Sequence, residues 1–174
     1  MDEQNNVQNE EMEKTVEGGK FLTFYLGEEE YAIEILKVQE IIGLMSITPV
    51  PNMPAYIRGV LNLRGKIIPV MDLRSRFGLP AVDDTTETCI VVIQEGQYRM
   101  GTVVDKVSEV ANIDGGDIED VPSFGNNKSS EYLAGIGKQE DSVKLILDVS
   151  RVLFDVPEGL MEKNEKETAA AEEE

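Results

Sequence analysis

Few side chains in this sequence are suited to catalysis. None of the 174 residues is histidine, and the one cysteine, Cys89, stands inside the apolar run Cys-Ile-Val-Val-Ile. The commonest acid, base and metal ligand is therefore missing, and one thiol cannot supply a sulfur-ligated metal cluster. We interpret Cys89 as a small buried hydrophobe in a reduced compartment. These observations argue against an enzyme and against a bound metal or other cofactor.

Acidic runs and glycine pairs are the remaining candidates for a ligand site. The glutamates at 28–30 lie in a predicted turn, and the acidic stretch 114–120 lacks the spacing of a calcium loop. The glycines at 115–116 and 135–137 match no phosphate-binding loop. We therefore interpret both acidic runs as solvated surface.

The basic residues are concentrated in one short stretch. Five of the sixteen fall between positions 58 and 76, and they are Arg58, Arg64, Lys66, Arg74 and Arg76. The whole chain has 34 acidic residues and a net charge of −18, which argues against nucleic acid as a partner. The distribution is consistent with a local positive face on an acidic protein.

The middle of this basic stretch predicts a β-hairpin. Apolar residues lie on both sides of the sequence Arg64-Gly65-Lys66, which is typical of two strands folding back on each other. Gly65 can adopt the positive φ that a tight reversal needs, so Arg64 should lie at the turn. Arg64 is then either a solvated charge at the hairpin tip or part of a binding site.

The sequence also repeats itself, in two alignments that differ slightly in offset. In the first alignment, Lys-Val-Gln-Glu-Ile at 37–41 matches Lys-Val-Ser-Glu-Val at 106–110. In the second alignment, Tyr-Ile-Arg-Gly-Val at 56–60 matches Tyr-Leu-Ala-Gly-Ile at 132–136. One longer loop between the matched blocks accounts for the change of offset. Agreement of apolar, glycine and charged positions in the same order predicts two related halves.

The repeat also decides an ambiguous segment. Residues 31–42 fit both the alternation of a strand and the spacing of a helix, but their counterpart at 102–110 is rich in β-branched residues. Both are therefore predicted as strands. Each half then has about five strands and a helical turn, at 72–77 and 148–154. The predicted fold is all-β, with two small five-stranded, Src-homology-like β-barrels packed side by side, because closure protects short strands at their edges.

Both ends of the chain differ from this centre. Residues 1–18 and 157–174 each carry a net charge of −5 and lack a regular apolar pattern. We expect both to be disordered, with a short helix as the alternative at the C-terminal end. The folded domain is predicted over residues 19–156, in halves of 19–82 and 83–156 between which strands could be exchanged. No apolar run approaches the roughly 20 residues of a membrane span, which predicts a cytoplasmic protein.

Several sequence blocks, taken in this order, resemble the CheW family of chemotaxis coupling proteins. The resemblance covers about residues 20–155 and is most specific at Asn-Leu-Arg-Gly, residues 62–65, with the proline and aspartate that follow. It implies two barrels side by side and a non-enzymatic adaptor without a cofactor. The adaptor would join the cytoplasmic tip of a methyl-accepting chemoreceptor to the regulatory domain of the histidine kinase CheA. It would lie at receptor arrays on the inner face of the membrane and contact the membrane only through receptors.

The resemblance also implies two sets of binding residues. The receptor-binding residues would be Ile35, Val38, Gly101, Val107 and Val110. The residues for kinase binding or activation would be Glu40, Gly59, Arg64 and Phe124. Glu40 follows Val38 on the same strand face by the period of two, so we expect Glu40 to orient Arg64.

Three other functions compete with this interpretation. An enzyme is disfavoured by the missing histidine. A related adaptor with its own phosphorylated receiver domain, or a kinase regulatory domain cut from a longer protein, is disfavoured by length, since the short flanks 1–19 and 156–174 leave no room for a further α/β domain. A regulatory or scaffold module of another two-component signalling complex is the alternative that stays open.

Overall fold

The protein is described here from a computed structural model that defines residues 16–122 and 131–154. This part of the chain forms two β-sheets and two short helices. The strands before the middle of the chain are β1 (Gly19–Leu26), β2 (Glu29–Glu34), β3 (Val38–Gly43), β4 (Ile57–Leu63) and β5 (Lys66–Asp72). The later strands are β6 (Cys89–Glu95), β7 (Tyr98–Val104), β8 (Lys106–Ile113), β9 (Ile118–Glu119), β10 (Leu133–Gln139) and β11 (Ser142–Leu147). The helices are α1 (Leu73–Arg76) and α2 (Val149–Phe154).

The predicted repeat is confirmed by the order of these elements. The first repeat contains β1 to β5 and α1, and the second contains β6 to β11 and α2. A 3₁₀ turn at Ile35–Lys37 separates β2 from β3, which explains why residues 31–42 showed both strand and helix spacing. Each repeat ends in a helix whose first turn is bonded to an aspartate, because Asp72 accepts from the Ser75 amide at 3.3 Å and Asp148 accepts from the Arg151 amide at 3.2 Å.

Each sheet combines strands from both repeats. The order is β8-β1-β2-β11-β10-β9 in the first sheet, called sheet A, and β3-β6-β7-β5-β4 in the second, called sheet B. Strands β1 to β5 of the first repeat correspond to β6, β7, β8, β10 and β11 of the second. With this correspondence, the order β8-β1-β2-β11-β10 in sheet A becomes β3-β6-β7-β5-β4, which is the order of sheet B. Strands of different repeats pair in parallel as β2 with β11 and β5 with β7, and antiparallel as β1 with β8 and β3 with β6. The other pairings are antiparallel.

Three apolar clusters lie within and between the sheets. The central cluster takes residues from both sheets and both helices, among them Leu22, Phe24, Tyr31, Ile33, Met71, Leu73, Val91, Ile93, Met100, Leu147, Val149 and Val152. The sheet B cluster contains Leu61, Ile68, Val70, Ile90, Val92 and Val103, and the sheet A cluster contains Phe21, Ala32, Ile113 and Ile146. Alternate residues of one strand pack in different clusters, since successive side chains point to opposite faces of the sheet. In β6, for example, Ile90 contacts the sheet B cluster while Val91 contacts the central cluster.

The two-unit β architecture is confirmed, but strand pairing in the described residues does not close either sheet. Sheet A has six strands instead of the predicted five, because β9 adds two residues beside β10. At the equivalent edge of sheet B, Thr48 forms a single bridge with Val60 of β4. The segment between β3 and β4 cannot extend this bridge into a strand, since prolines at 49, 51 and 54 lack an amide donor.

Packing at the N-terminal side begins before the predicted boundary at residue 19. Val16 packs against the sheet A cluster. Gly18 lies so close to the backbone of Gly115 that a Cβ atom would fall 2.2 Å from the Gly115 nitrogen. Residues 16–18 therefore contribute to the packed domain, whereas the predictions for residues 1–15 and 157–174 lie outside the described residues.

We predict that the two sheets unfold together. Ile90 of the sheet B cluster and Ile146 of the sheet A cluster are both 0% exposed, so Ile90→Ala and Ile146→Ala should each lower the free energy of unfolding by about 2–5 kcal/mol. Because each sheet needs strands from both repeats, calorimetry should show one transition for each variant, shifted as a whole. Ile→Val at the same positions is the matched control, with a smaller shift. Two separable transitions would contradict the prediction.

Candidate partner-binding surfaces

The hairpin turn lies where the sequence predicts it. Leu63 pairs with Lys66, and the two residues between them both have positive φ, 53° at Arg64 and 86° at Gly65. The side-chain oxygen of Asn62 accepts a hydrogen bond from the Gly65 amide at 2.8 Å. Two positive φ angles define the tight hairpin turn that matches strand twist, so the backbone holds Arg64 at the tip.

Arg64 forms a two-point ion pair with Glu40, as expected. Nη1 and Nη2 of Arg64 each lie 3.0 Å from a different carboxylate oxygen of Glu40. Glu40 is in β3 and Arg64 is at the end of β4, and these are the two edge strands of sheet B. The ion pair therefore spans the side at which sheet B is left open. The Arg64 side chain remains 76% exposed, so its outer surface is available to a partner.

Gly59, another predicted kinase-contact residue, lies beside the same open side but is buried. Its φ is 145°, and a Cβ atom there would fall 2.1 Å from the carbonyl oxygen of Thr48. This close approach allows Thr48 and Val60 to exchange backbone hydrogen bonds of 2.8 and 2.9 Å. The structure thus brings Glu40, Gly59 and Arg64 to one side of sheet B, while Phe124 lies outside the described residues.

Four of the five predicted receptor-binding residues lie on or next to β3 and β8. Ile35, Val38 and Val107 are half-buried and pack against the central cluster. Val110 of β8 is 52% exposed. Gly101 is different, because it is buried and a Cβ atom there would lie 2.9 Å from Cγ2 of Ile90. Substitution of Gly101 would therefore act through the packing of sheet B.

One exposed apolar residue was missed by the sequence interpretation. Ile41 of β3 is 46% exposed, and the first alignment of the repeat places it on Val110. The same alignment places Val38 on Val107. The repeat therefore pairs two apolar positions on β3 with two on β8, and this pairing was available from the sequence.

The predicted positive face is wrong for three of its five residues, because nearby carboxylates neutralise them. Arg58 lies 3.0 Å from Asp72 and donates two hydrogen bonds to Asp84 at 3.0 and 3.1 Å. The bonds to Asp84, followed by those to Asp72, raise the pKa of Arg58 although burial opposes this. Arg64 is paired with Glu40.

Arg74 is the third neutralised base, and it links the end of sheet B to the β1–β2 turn of sheet A. Its Nε lies 2.8 Å from Oδ1 of Asp105, and the Gly27 amide donates to Oδ2 of Asp105 at 2.7 Å. These bonds, with Arg74 contributing most, hold the pKa of Asp105 below its usual value. Arg76 lies over the rings of Tyr56 and Tyr132, at 4.4 and 4.8 Å from their centroids. Such cation–π contacts favour a guanidinium over an aromatic face.

Comparison with known proteins assigns the family. The profile of the CheW-like domain matches residues 20–156. The chain belongs to the CheW-like family. A chemotaxis protein CheW from Klebsiella aerogenes is 41% identical over 136 residues, covering 78% of this chain and 82% of the relative. A chemotaxis protein CheW from Helicobacter pylori is 38% identical over 135 residues, covering 77% and 81%.

A solved structure agrees with this assignment. The scaffolding protein TtCheW from Thermoanaerobacter tengcongensis has a TM-score of 0.72 and 34% identity, covering 79% of this chain and 88% of that protein. The expectations of a CheW-like chemotaxis adaptor and of a protein without enzymatic activity are confirmed by these relatives. Among the described residues, no helix is long and apolar enough to cross a membrane.

We predict that the Arg74–Asp105 pair makes stability depend on pH. The pKa of Asp105 in the folded protein is below its unfolded value of about 3.9. The ion pair therefore stabilises the fold fully above that pH, and this stabilisation is lost as pH falls through the folded pKa and Asp105 is protonated. Arg74→Gln should lower the free energy of unfolding by about 1.5–3 kcal/mol at pH 7. Chemical denaturation should show this difference shrinking below pH 4. Arg64→Gln, at an exposed pair, is the control and should change little at either pH. A constant difference for Arg74→Gln from pH 7 to pH 3 would contradict the assignment.

Proposed function

We propose that this CheW-like chemotaxis adaptor couples the cytoplasmic tip of a methyl-accepting chemoreceptor to the regulatory domain of the histidine kinase CheA. In this role it lies in the cytoplasm, at receptor arrays on the inner face of the membrane. The main support is that most of the predicted binding residues form two groups that share β3 but use opposite faces of it. Glu40 and Arg64 lie at the open side of sheet B, whereas Val38 and the residues of β8 lie beside the central cluster, because the bulge after Val38 places Val38 and Glu40 opposite consecutive residues of β6.

The kinase surface is proposed at the Glu40–Arg64 pair. Arginine is enriched among residues that dominate protein interfaces, and Glu40 fixes the guanidinium of Arg64 in one orientation. A fixed orientation lowers the entropy that is lost when a partner binds. The charge of Arg64 is already matched, so we expect the exposed edge of the guanidinium and the hairpin tip to provide the contact.

The receptor surface is proposed on β3 and β8. Its exposed apolar residues occupy repeat-equivalent positions, Ile41 with 46% and Val110 with 52% exposure. Apolar residues at the rim of a shared core suit the apolar face of a helix. A helical hairpin at a receptor tip is such a partner.

We predict that Arg64→Ala separates binding from stability. The pair is exposed and contributes about 0–1 kcal/mol, so the thermal midpoint should change by no more than a few degrees. Loss of an interface anchor on the order of 2 kcal/mol should weaken binding of the CheA regulatory domain roughly thirtyfold, measured by calorimetric titration. Kinase activation in the reconstituted receptor complex should fall with it. Lys66→Ala, two residues away, is the matched control for loss of one positive charge. Normal activation by folded Arg64→Ala would assign Arg64 to a solvated hairpin tip.

A second prediction compares two exposed valines. Val110 of β8 is 52% exposed and Val143 of β11 is 53% exposed, so a glutamate at either position should be tolerated by the fold. Val110→Glu should abolish sedimentation of the adaptor with receptor-containing membranes, because it places a charge on the proposed apolar surface. Val143→Glu should sediment as the wild type does. Equal behaviour of the two variants would remove β8 from the receptor surface.

A further inference from the structure

A groove of about 700 Å³ lies at the end of sheet A where β1 begins and β11 leads into α2. Its walls include Lys20, Glu34, Leu36, Ala134, Asp148 and Ser150. A second hollow of about 340 Å³ shares Ala134 and Asp148 with it and continues towards Arg151. Ala134 and Asp148 therefore stand where the two hollows meet.

At the equivalent end of sheet B, two arginines form three ion pairs within the described part of the chain. Arg58 bridges Asp72 and Asp84, and Arg74 binds Asp105. Arg58 and Arg74 stand at repeat positions equivalent to Ala134 and Ser150, which line the groove of sheet A. Sheet B therefore shows which interactions the first repeat provides at the sheet end where sheet A has a groove.

The second repeat has lost both arginines at these positions. The second alignment places Arg58 on Ala134, Arg74 on Ser150 and Asp72 on Asp148. The first alignment places Asp105 on Leu36. The acid that binds Arg58 is thus retained as Asp148, while the second ion pair is replaced by a serine and an exposed leucine.

The remaining groups of the groove favour a partner that is both basic and apolar. Four acids, Glu17, Glu34, Glu95 and Asp148, and two bases, Lys20 and Lys37, line it, which gives a net charge of −2. Asp148 is 32% exposed, and within residues 16–122 and 131–154 it forms an ion pair with Nε of Arg151 at 3.5 Å. Leu36 is 93% exposed. A partner's cation beside Asp148 would take the place that Arg58 has beside Asp72 in sheet B. A partner's apolar side chain against Leu36 would take the place of the Arg74–Asp105 pair.

We propose that this groove binds a partner segment that presents an arginine or lysine next to an apolar residue. The segment belongs to another protein of the chemotaxis complex, a step that rests on the proposed function. The acidic ends of this chain are poor occupants, because residues 1–15 hold five acids and one base and residues 157–174 hold seven acids and two bases. Their charges of −4 and −5 oppose binding in an acidic groove.

The first test uses the ¹⁵N-labelled full chain and the probe peptide acetyl-Leu-Arg-Leu-amide. Saturable chemical-shift changes are expected at the amides of Leu36, Ala134 and Ser150. The peptide with citrulline in place of arginine keeps the shape without the charge and should bind at least threefold more weakly. No saturable change, or equal affinity for both peptides, would overturn the proposal.

The second test fills the groove from within. Ala134→Arg restores the arginine of the other repeat and should abolish the peptide response. Asp148→Asn keeps a residue that caps α2 and should weaken peptide binding at least threefold. Asp141→Asn, an exposed acid in the β10–β11 turn, is the matched control and should bind as the wild type does. If Ala134→Arg does not fold, Asp148→Asn alone decides.

The third test measures recovery of receptor and kinase by the full-length variants. Ala134→Arg and Asp148→Asn should each reduce recovery of one partner at least fivefold, while Asp141→Asn should not. Wild-type recovery of both partners by both groove variants would overturn the proposal. If even the wild-type chain recovers neither partner, the proposed function fails, and the peptide titration still decides whether the groove takes a basic and apolar segment.

Discussion

The parallel pairings of β2 with β11 and of β5 with β7 are the constraint on which the rest of this structure depends. They join strands of different repeats, so that neither repeat completes a sheet by itself. The central cluster depends on the same exchange, because its residues come from both sheets and both helices. Two antiparallel pairings also cross between the repeats, and they hold the strands of one binding surface. The edge strands β3 and β8, which hold the proposed receptor surface, each pair with a strand of the other repeat.

A buried ion pair lies beside one of these parallel pairings. Lys144 of β11 is 4% exposed, and its Nζ lies 2.9 Å from a carboxylate oxygen of Glu30 in β2. Burying two charges costs most of what their attraction returns, so the pair contributes little net stability. A shifted register would leave a buried charge without its partner, which costs far more. We interpret the Lys144–Glu30 pair as a device that fixes how β2 and β11 align.

The sequence predicted those features that depend on neighbouring residues or on the repeat. Gly65 in the turn and Asp72 at the start of α1 are local, and the structure confirms them. The strand predicted at 31–42 from the repeat is confirmed as β2 and β3, but the 3₁₀ turn at Ile35–Lys37 that divides it was not predicted. The Glu40–Arg64 pair is also confirmed. The premise that Glu40 shares a strand face with Val38 is wrong, because a bulge between them places Val38 opposite Ile93 and Glu40 opposite Val92, which are consecutive residues of β6.

The arginine partners could not be predicted in the same way. Asp84 and Asp105 reach Arg58 and Arg74 across 26 and 31 positions, and only the sheet topology brings them together. An unpaired positive face was therefore the wrong interpretation of the basic stretch. The groove was missed for a related reason. The alignment of the repeats shows that two arginines have no counterpart in the second repeat, but this difference has no meaning until the structure shows that both arginines form ion pairs.

Strand exchange also has a consequence for synthesis on the ribosome. All five strands of sheet B lie within residues 38–104, whereas sheet A waits for β11 at Ser142–Leu147. Glu30 and Lys144 are 114 positions apart, which corresponds to roughly 6 to 23 seconds of translation at ordinary elongation rates. During that interval β2 has an unpaired edge on the side that β11 later covers. The nascent chain can therefore assemble sheet B first. Strands β1 and β2 of sheet A are synthesised earliest, yet they wait longest for their full set of partners.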